Sequence, residues 1–139
     1  MLNNETIYEL TQGIEFMGYE HMIFYCENVI KTKSERDVYR KAFFYTLGIL
    51  VTTRTNIDSL YDFQSNCPKL DGFGQTEHTL KLCRLAINLY NGFCQNGTSW
   101  EDTTTDTDGK YTPYELFSMP FVKYMVEAIK IRYPQYMKC

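Results

Sequence analysis

Apolar residues recur along this chain at intervals of three and four, and polar, glycine- or proline-bearing segments separate the periodic stretches. The clearest stretch is Gln75 to Gly92, QTEHTLKLCRLAINLYNG. Laid on a helix, its Leu82, Cys83, Leu85, Ala86, Leu89 and Tyr90 occupy one broad arc, while Lys81, Arg84, Asn88 and Asn91 share a narrow opposite stripe. The pattern predicts a mostly buried central helix over about 76–91 with one polar edge. Thr76 stands where an N-cap oxygen belongs, and Gly92 where a helix end tolerates positive φ.

The flanking stretches read the same way. Ile7, Leu10, Ile14, Met17 and Phe24 form a stripe from Thr6 to about Lys31, with Thr6 and Glu9 as a capping box and His21 on the same stripe. Gly13 and Gly18 each cost about 1 kcal/mol inside a helix, so a break is expected between an N-terminal piece and the part from Tyr19 onward. Ser34 and Asp37 open a helix whose later part, Ala42 to Leu50, is apolar nearly all round, so it must run into the core. Thr52 or Thr53 then caps a shorter helix to about Asp62, with Arg54 and Asp58 spaced for an ion pair. Residues 64–74 and 93–111 have loop composition. Thr112-Pro113-Tyr114-Glu115 starts a short helix to Phe117, and a last helix runs from about Pro120 to Tyr133, ended by Pro134. On it Lys123, Glu127 and Lys130 face outward; Arg132 falls inward, where a carboxylate, a helix end or the surface must receive it. With no alternating pattern to compete, the expected fold is all-α: a single-domain bundle of five or six helices.

At 139 residues the chain can bury one real core. Twelve tyrosines and nine phenylalanines exceed what that core requires, so some tyrosines either cap it with their hydroxyls in water or form a contact surface. A net charge of −3 argues against a protein that tracks phosphates, so nucleic acid is not an expected partner. No signal-peptide pattern and no membrane-length apolar run is present, and a cytoplasmic location is expected. The five cysteines are odd in number and unpaired in spacing, and a zinc set drawn from Cys67, His78, Cys83 and Cys94 has no recognised ligand spacing.

Candidate chemistry is sparse. Thr104 to Glu115 overlaps a calcium-loop pattern through Asp106, Asp108 and Glu115, but its first position is Thr rather than Asp; an acidic loop leading into a capped helix accounts for it better, and no metal or cofactor is expected. His21 and His78 have no base or nucleophile at a spacing that places them face to face, so no catalytic residue is assigned. What remains is the polar edge of the central helix, Arg84, Asn88 and Asn91, with Gln75 and Thr76 at its start, Arg54 nearby in the chain and Trp100 in the longest loop. These residues either hold a ligand or partner, or satisfy the ends of neighbouring helices.

The runs DVYRKAFFYTLGI and TRTNIDSLYDF, then Gln75-Thr76 followed by RLAINLYNG, and finally YELF with EAIKIRYPQY, resemble a family of small proteins of Firmicutes and their mobile elements, catalogued as domain of unknown function 6075. The resemblance runs from about Glu20 to Tyr136 and leaves residues 1–19 as an extension. It implies no activity; it implies an accessory-genome setting in which small proteins act by binding host machinery, defence systems included. Three readings follow: a non-catalytic protein that occludes a host protein, in its most concrete form an anti-CRISPR inhibitor; a binder of a small, nucleotide-like anion; and an enzyme of unknown class.

Overall fold

Every residue from Ala42 to Ile49 is buried, as a helix that is apolar all round requires. In the computed structural model, which describes residues 2–69, 76–92 and 111–137, this stretch forms most of helix α3, Val38–Leu47. Before it come α1, Asn4–Leu10, and α2, Tyr19–Lys31; after it come α4, Val51–Thr55, and α5, Ile57–Leu60. A two-residue hairpin, β1 Tyr61–Asp62 with β2 Cys67–Pro68, precedes α6, Glu77–Asn91. Then α7, Pro113–Leu116, and α8, Val122–Arg132, lead into a single 3-10 turn, Pro134–Tyr136. Helix α3 lies against α2, α6 and α8, and α6 lies against α3, α7 and α8, so the predicted central helix shares the middle of the molecule with α3.

Two apolar clusters meet along α3. One gathers Tyr25, Tyr45, Leu82, Leu89, Met125 and Ala128 from four helices. The other sets Phe43, Phe44 and Leu47 against Tyr61, Cys83 and Ile87. Each fully buried large apolar side chain contributes about 1.5–3 kcal/mol, so these two layers supply the bulk of the driving force.

The caps decide where elements begin. Thr76 accepts from Thr79 N–H, and Gly92 closes α6 in the left-handed region at φ 77°, as predicted. Thr112 accepts from Glu115 N–H with Pro113 in the first helical position, again as predicted. Two other caps differ. Asn3, not Thr6, starts α1 by accepting from Thr6 N–H, and Asp37 rather than Ser34 caps α3 by accepting from Tyr39 and Arg40 N–H. Ser34 is buried instead, its hydroxyl bonded to that of Thr32.

The expected break near Gly13 and Gly18 is present as a turn and irregular segment from α1 to α2. That segment packs on the same chain. Phe16 lies against His21, Tyr25 and Tyr45; the Glu15 N–H donates to Glu127 Oε2 at 2.9 Å; and the Glu15 carboxylate pairs with Lys123 at 2.8 Å. Glu127 is therefore mostly covered rather than outward-facing as predicted.

The helix expected to reach Asp62 breaks at Asn56, and the chain after Leu60 turns into the hairpin, which no alternation announced because its strands are two residues long. Arg54 consequently does not pair with Asp58. Its Nη1 donates to the Gly48 carbonyl at 2.6 Å, and its Nη2 lies 3.5 Å from Glu20. Thr53 does not cap its own helix but donates to the Leu47 carbonyl. Both residues thus satisfy the open carbonyl end of α3.

Candidate functional site

The predicted polar edge of α6 is only partly an edge. Thr76 spends its hydroxyl on the helix start, accepting from Thr79 N–H and donating to Thr79 Oγ1. Lys81, expected outward, is buried because α7 and the residues after it cover that side of the helix, and its Nζ lies 3.5 Å from the Ser118 carbonyl. Arg84 is half-buried and makes no hydrogen bond or ion pair among the described residues. Asn88 is half-buried, Asn91 is exposed, and both are engaged in contacts. Arg54 stands apart, committed to Gly48 and Glu20, neither of which belongs to α6. Gln75 and Trp100 lie outside the described residues, as do Asp106 and Asp108; Glu115, the last member of the calcium-like pattern, sits in the first turn of α7.

His21 takes the structural role. It is 1% exposed, its Nδ1 accepts from Met17 N–H at 3.2 Å, and its Nε2 lies 2.8 Å from the Tyr45 carbonyl, which fixes the proton on Nε2. Burial lowers its pKa to about 4, with the charge of Arg54 acting the same way. A ring whose two nitrogens are both used inside the core has no free atom for a substrate. His78 is half-buried and packs edge-on to Phe121. Cys26, Cys67 and Cys83 are free thiols, Cys94 lies outside the described residues, and no cluster of metal-ligating side chains is found among the described residues.

A different surface combines the features that contact sites favour. Where α3 begins and α8 ends, the Arg132 guanidinium lies 4.0 Å from the centre of the Tyr39 ring and 4.4 Å from that of Tyr133, and Tyr133 meets Tyr136 at 6.2 Å. Arg132 Nε donates to the Leu89 carbonyl at 2.7 Å, so it meets a helix end, the last turn of α6, as its inward position required. Its two terminal nitrogens make no hydrogen bond among the described residues. Tyr39 and Tyr136 are exposed, the latter at 75%. The result is a guanidinium held by one bond and two rings at a surface with exposed phenols.

Sequence reasoning marked Arg132 as a residue in need of a partner but did not join it to Tyr39, which is 93 positions away in the chain. The signal that was available is local: a charged residue on the apolar stripe of a last turn, followed by Tyr-Pro-x-Tyr.

The exposed tyrosines Tyr8, Tyr19 and Tyr114 lie on other elements, α1, α2 and α7. Three further tyrosines, Tyr25, Tyr45 and Tyr61, are wholly buried, hydroxyls included, a use that neither purpose read from composition describes. No described helix is long and apolar enough to cross a membrane.

No curated protein and no solved structure matches this chain. A family profile does, over residues 11–139, which takes in the segment that carries Glu15 and Phe16 as well as every helix from α2 onward. The chain therefore belongs to DUF6075, a family of unknown function.

Proposed function

We propose that the protein is a non-catalytic, cytoplasmic binding protein that acts by occluding a host protein, and that Tyr39, Arg132, Tyr133 and Tyr136 form its contact surface. The observation that carries this reading is Arg132 held between tyrosine rings, its two terminal nitrogens making no hydrogen bond among the described residues. Tyr and Arg dominate the residues that anchor protein interfaces, because they cover large area with little rotamer entropy left to lose. A guanidinium fork suits a carboxylate or backbone carbonyl of the partner. In its most specific form the target is a nuclease of a host defence system, the setting that the resemblance to mobile-element proteins suggests. His21, committed to the core on both nitrogens, favours binding over histidine catalysis.

The test is a pull-down from host lysate with the wild type and with the double variant Tyr39→Ala/Tyr136→Ala, bound proteins being identified by mass spectrometry. Anchor residues lose at least about 2 kcal/mol each when truncated, so a stoichiometric partner of the wild type should be lost from a variant of unchanged melting temperature. A partner retained equally by both proteins would remove this face from consideration.

A further inference from the structure

Residues 13–18 cross the bundle between α1 and α2 as a strap, and hydrogen bonds tie it to three helices. Glu15 N–H donates to Glu127 Oε2 of α8 at 2.9 Å, the Tyr45 hydroxyl of α3 donates to the Glu15 carbonyl, and Met17 N–H donates to His21 Nδ1 of α2 at 3.2 Å. Between these ties Phe16 fills a pocket walled by His21, Tyr25 and Tyr45, its ring centre 5.2, 5.4 and 5.4 Å from theirs. No residue from 13 to 18 is fully buried. A segment with one anchoring ring and few bonds opens at a lower free energy than the helices beneath it.

The tie to His21 is sensitive to protons. Nε2 carries the ring hydrogen, because the Tyr45 carbonyl 2.8 Å away can only accept. The lone pair that accepts from Met17 N–H is therefore the sole place for a second proton, and a proton there sets two donors against each other. The charge that acts on the ring, that of Arg54, opposes protonation. Its other neighbours do not compensate: Tyr45 and Tyr124 face it with rings, the exposed Glu20 lies 3.5 Å from Arg54, and the Glu15 and Glu127 carboxylates face Lys123 and Lys130. Burial, above all, holds the covered imidazole down to about 4, whereas an imidazole in water titrates near 6.5.

We propose that residues 13–18 are a proton-operated latch: a proton taken up at His21 Nδ1 breaks the bond from Met17 N–H, and the strap lifts with Phe16 leaving its pocket while α3, α6 and α8 stay folded. The open form, in which water reaches the ring, binds the proton more tightly than the closed form, so falling pH favours opening. The closed form is favoured in full above about pH 6.5 and loses ground as the pH falls toward 4. Opening bares the aromatic pocket of His21, Tyr25 and Tyr45, and it needs no other group to change its charge.

Hydrogen–deuterium exchange of the full chain between about pH 7 and pH 5, with each amide rate referred to its intrinsic rate at that pH, tests the latch in the range where histidine rather than carboxylate side chains ordinarily titrate. The Glu15 and Met17 amides should be protected at least about tenfold less than those of Leu82 and Leu85 in α6, and their protection should fall about 20-fold from the upper to the lower pH. In His21→Gln the side-chain amide accepts from Met17 N–H and donates to the Tyr45 carbonyl without titrating, so the same two amides should keep one level of protection throughout. Wild-type protection that does not change with pH overturns the proposal. Protection equal to that of α6 does so as well, because the strap would then open only with the whole molecule. A fall of the same size in His21→Gln would assign the proton to another group and overturn it too. The wild-type measurements decide the question by themselves should the variant fail to fold.

Discussion

His21 shows how a single titratable side chain can be turned into a structural one. In an unfolded chain it titrates near 6.5; in the folded protein burial, above all, brings it to about 4. Between those values the unfolded chain binds a proton that the folded protein refuses, so falling pH favours unfolding. Stability is therefore complete above about pH 6.5 and diminishes by about 3 kcal/mol as the pH approaches 4. The urea midpoint of the wild type should drop over that range more steeply than that of His21→Gln, and parallel slopes would show that another group is responsible. The same ring limits Gly48. A Cβ there would lie 2.6 Å from His21 Cδ2 and 2.9 Å from Phe24 Cδ1, and the histidine is pinned at both nitrogens. Gly48→Ala is expected to cost about 1–3 kcal/mol in a urea titration, for reasons of space and not of backbone strain, since φ is −73°.

Among the elements, the hairpin is too short to hold itself, because two-stranded pieces are marginal in water even when longer. Arg40 of α3 holds it. Nε donates to the Tyr61 hydroxyl at 2.8 Å, Nη1 to Asp37 at 2.7 Å, and Nη2 to the Asn66 carbonyl and, at 3.2 Å, to the Tyr90 hydroxyl of α6. One planar fork thus joins α3, the hairpin and α6. Burial works against its charge, but the bonds to Tyr61 and Asp37 more than offset this and hold the guanidinium above its ordinary pKa. A lysine cannot reproduce several fixed donor directions, so Arg40→Lys should cost about 2 kcal/mol and speed amide exchange across residues 61–68 before the rest of the molecule. Uniform acceleration would mean that the hairpin is not separately secured. Helix α3 is treated alike at its other end, where Thr53 and Arg54 take the carbonyls of Leu47 and Gly48. Both residues had looked like furniture of their own short helix. Their partners lie six positions back, beyond the reach of helical spacing.

At the scale of the whole molecule, the N-terminal segment divides into a part that matters and a part that does not. Helix α1 buries no residue fully. The irregular segment after it supplies Phe16 to the aromatic cluster, an acceptor for the Tyr45 hydroxyl through the Glu15 carbonyl, and the Met17 N–H that sets the His21 tautomer. Removal of residues 1–10 should shift the melting temperature by only a few degrees, as partial burial of Ile7 and Leu10 is worth about 1 kcal/mol. Removal of residues 1–18 should cost more than about 3 kcal/mol, because it uncovers His21, Tyr25 and Tyr45 together. Similar melting of the two truncated chains would show that α1 and not the segment holds the N-terminus in place. The family match beginning at residue 11 agrees with that division.

What the sequence by itself determined was the helical class, the break before Tyr19, the caps at Thr76, Gly92 and Thr112, the burial of Ala42 onward and the need of Arg132 for a partner. Each of these depends on residues within about one or two helical turns, where spacing translates directly into geometry. Only the tertiary structure decided the inward turn of Lys81, the diversion of Arg54 to Gly48 and Glu20, the hairpin held by Arg40, and the meeting of Tyr39 with Arg132. Those arrangements are set by which helices pack on which faces, and a hydrogen-bonding or cation–π partner tens of residues away leaves no mark on the local pattern of apolar and polar positions.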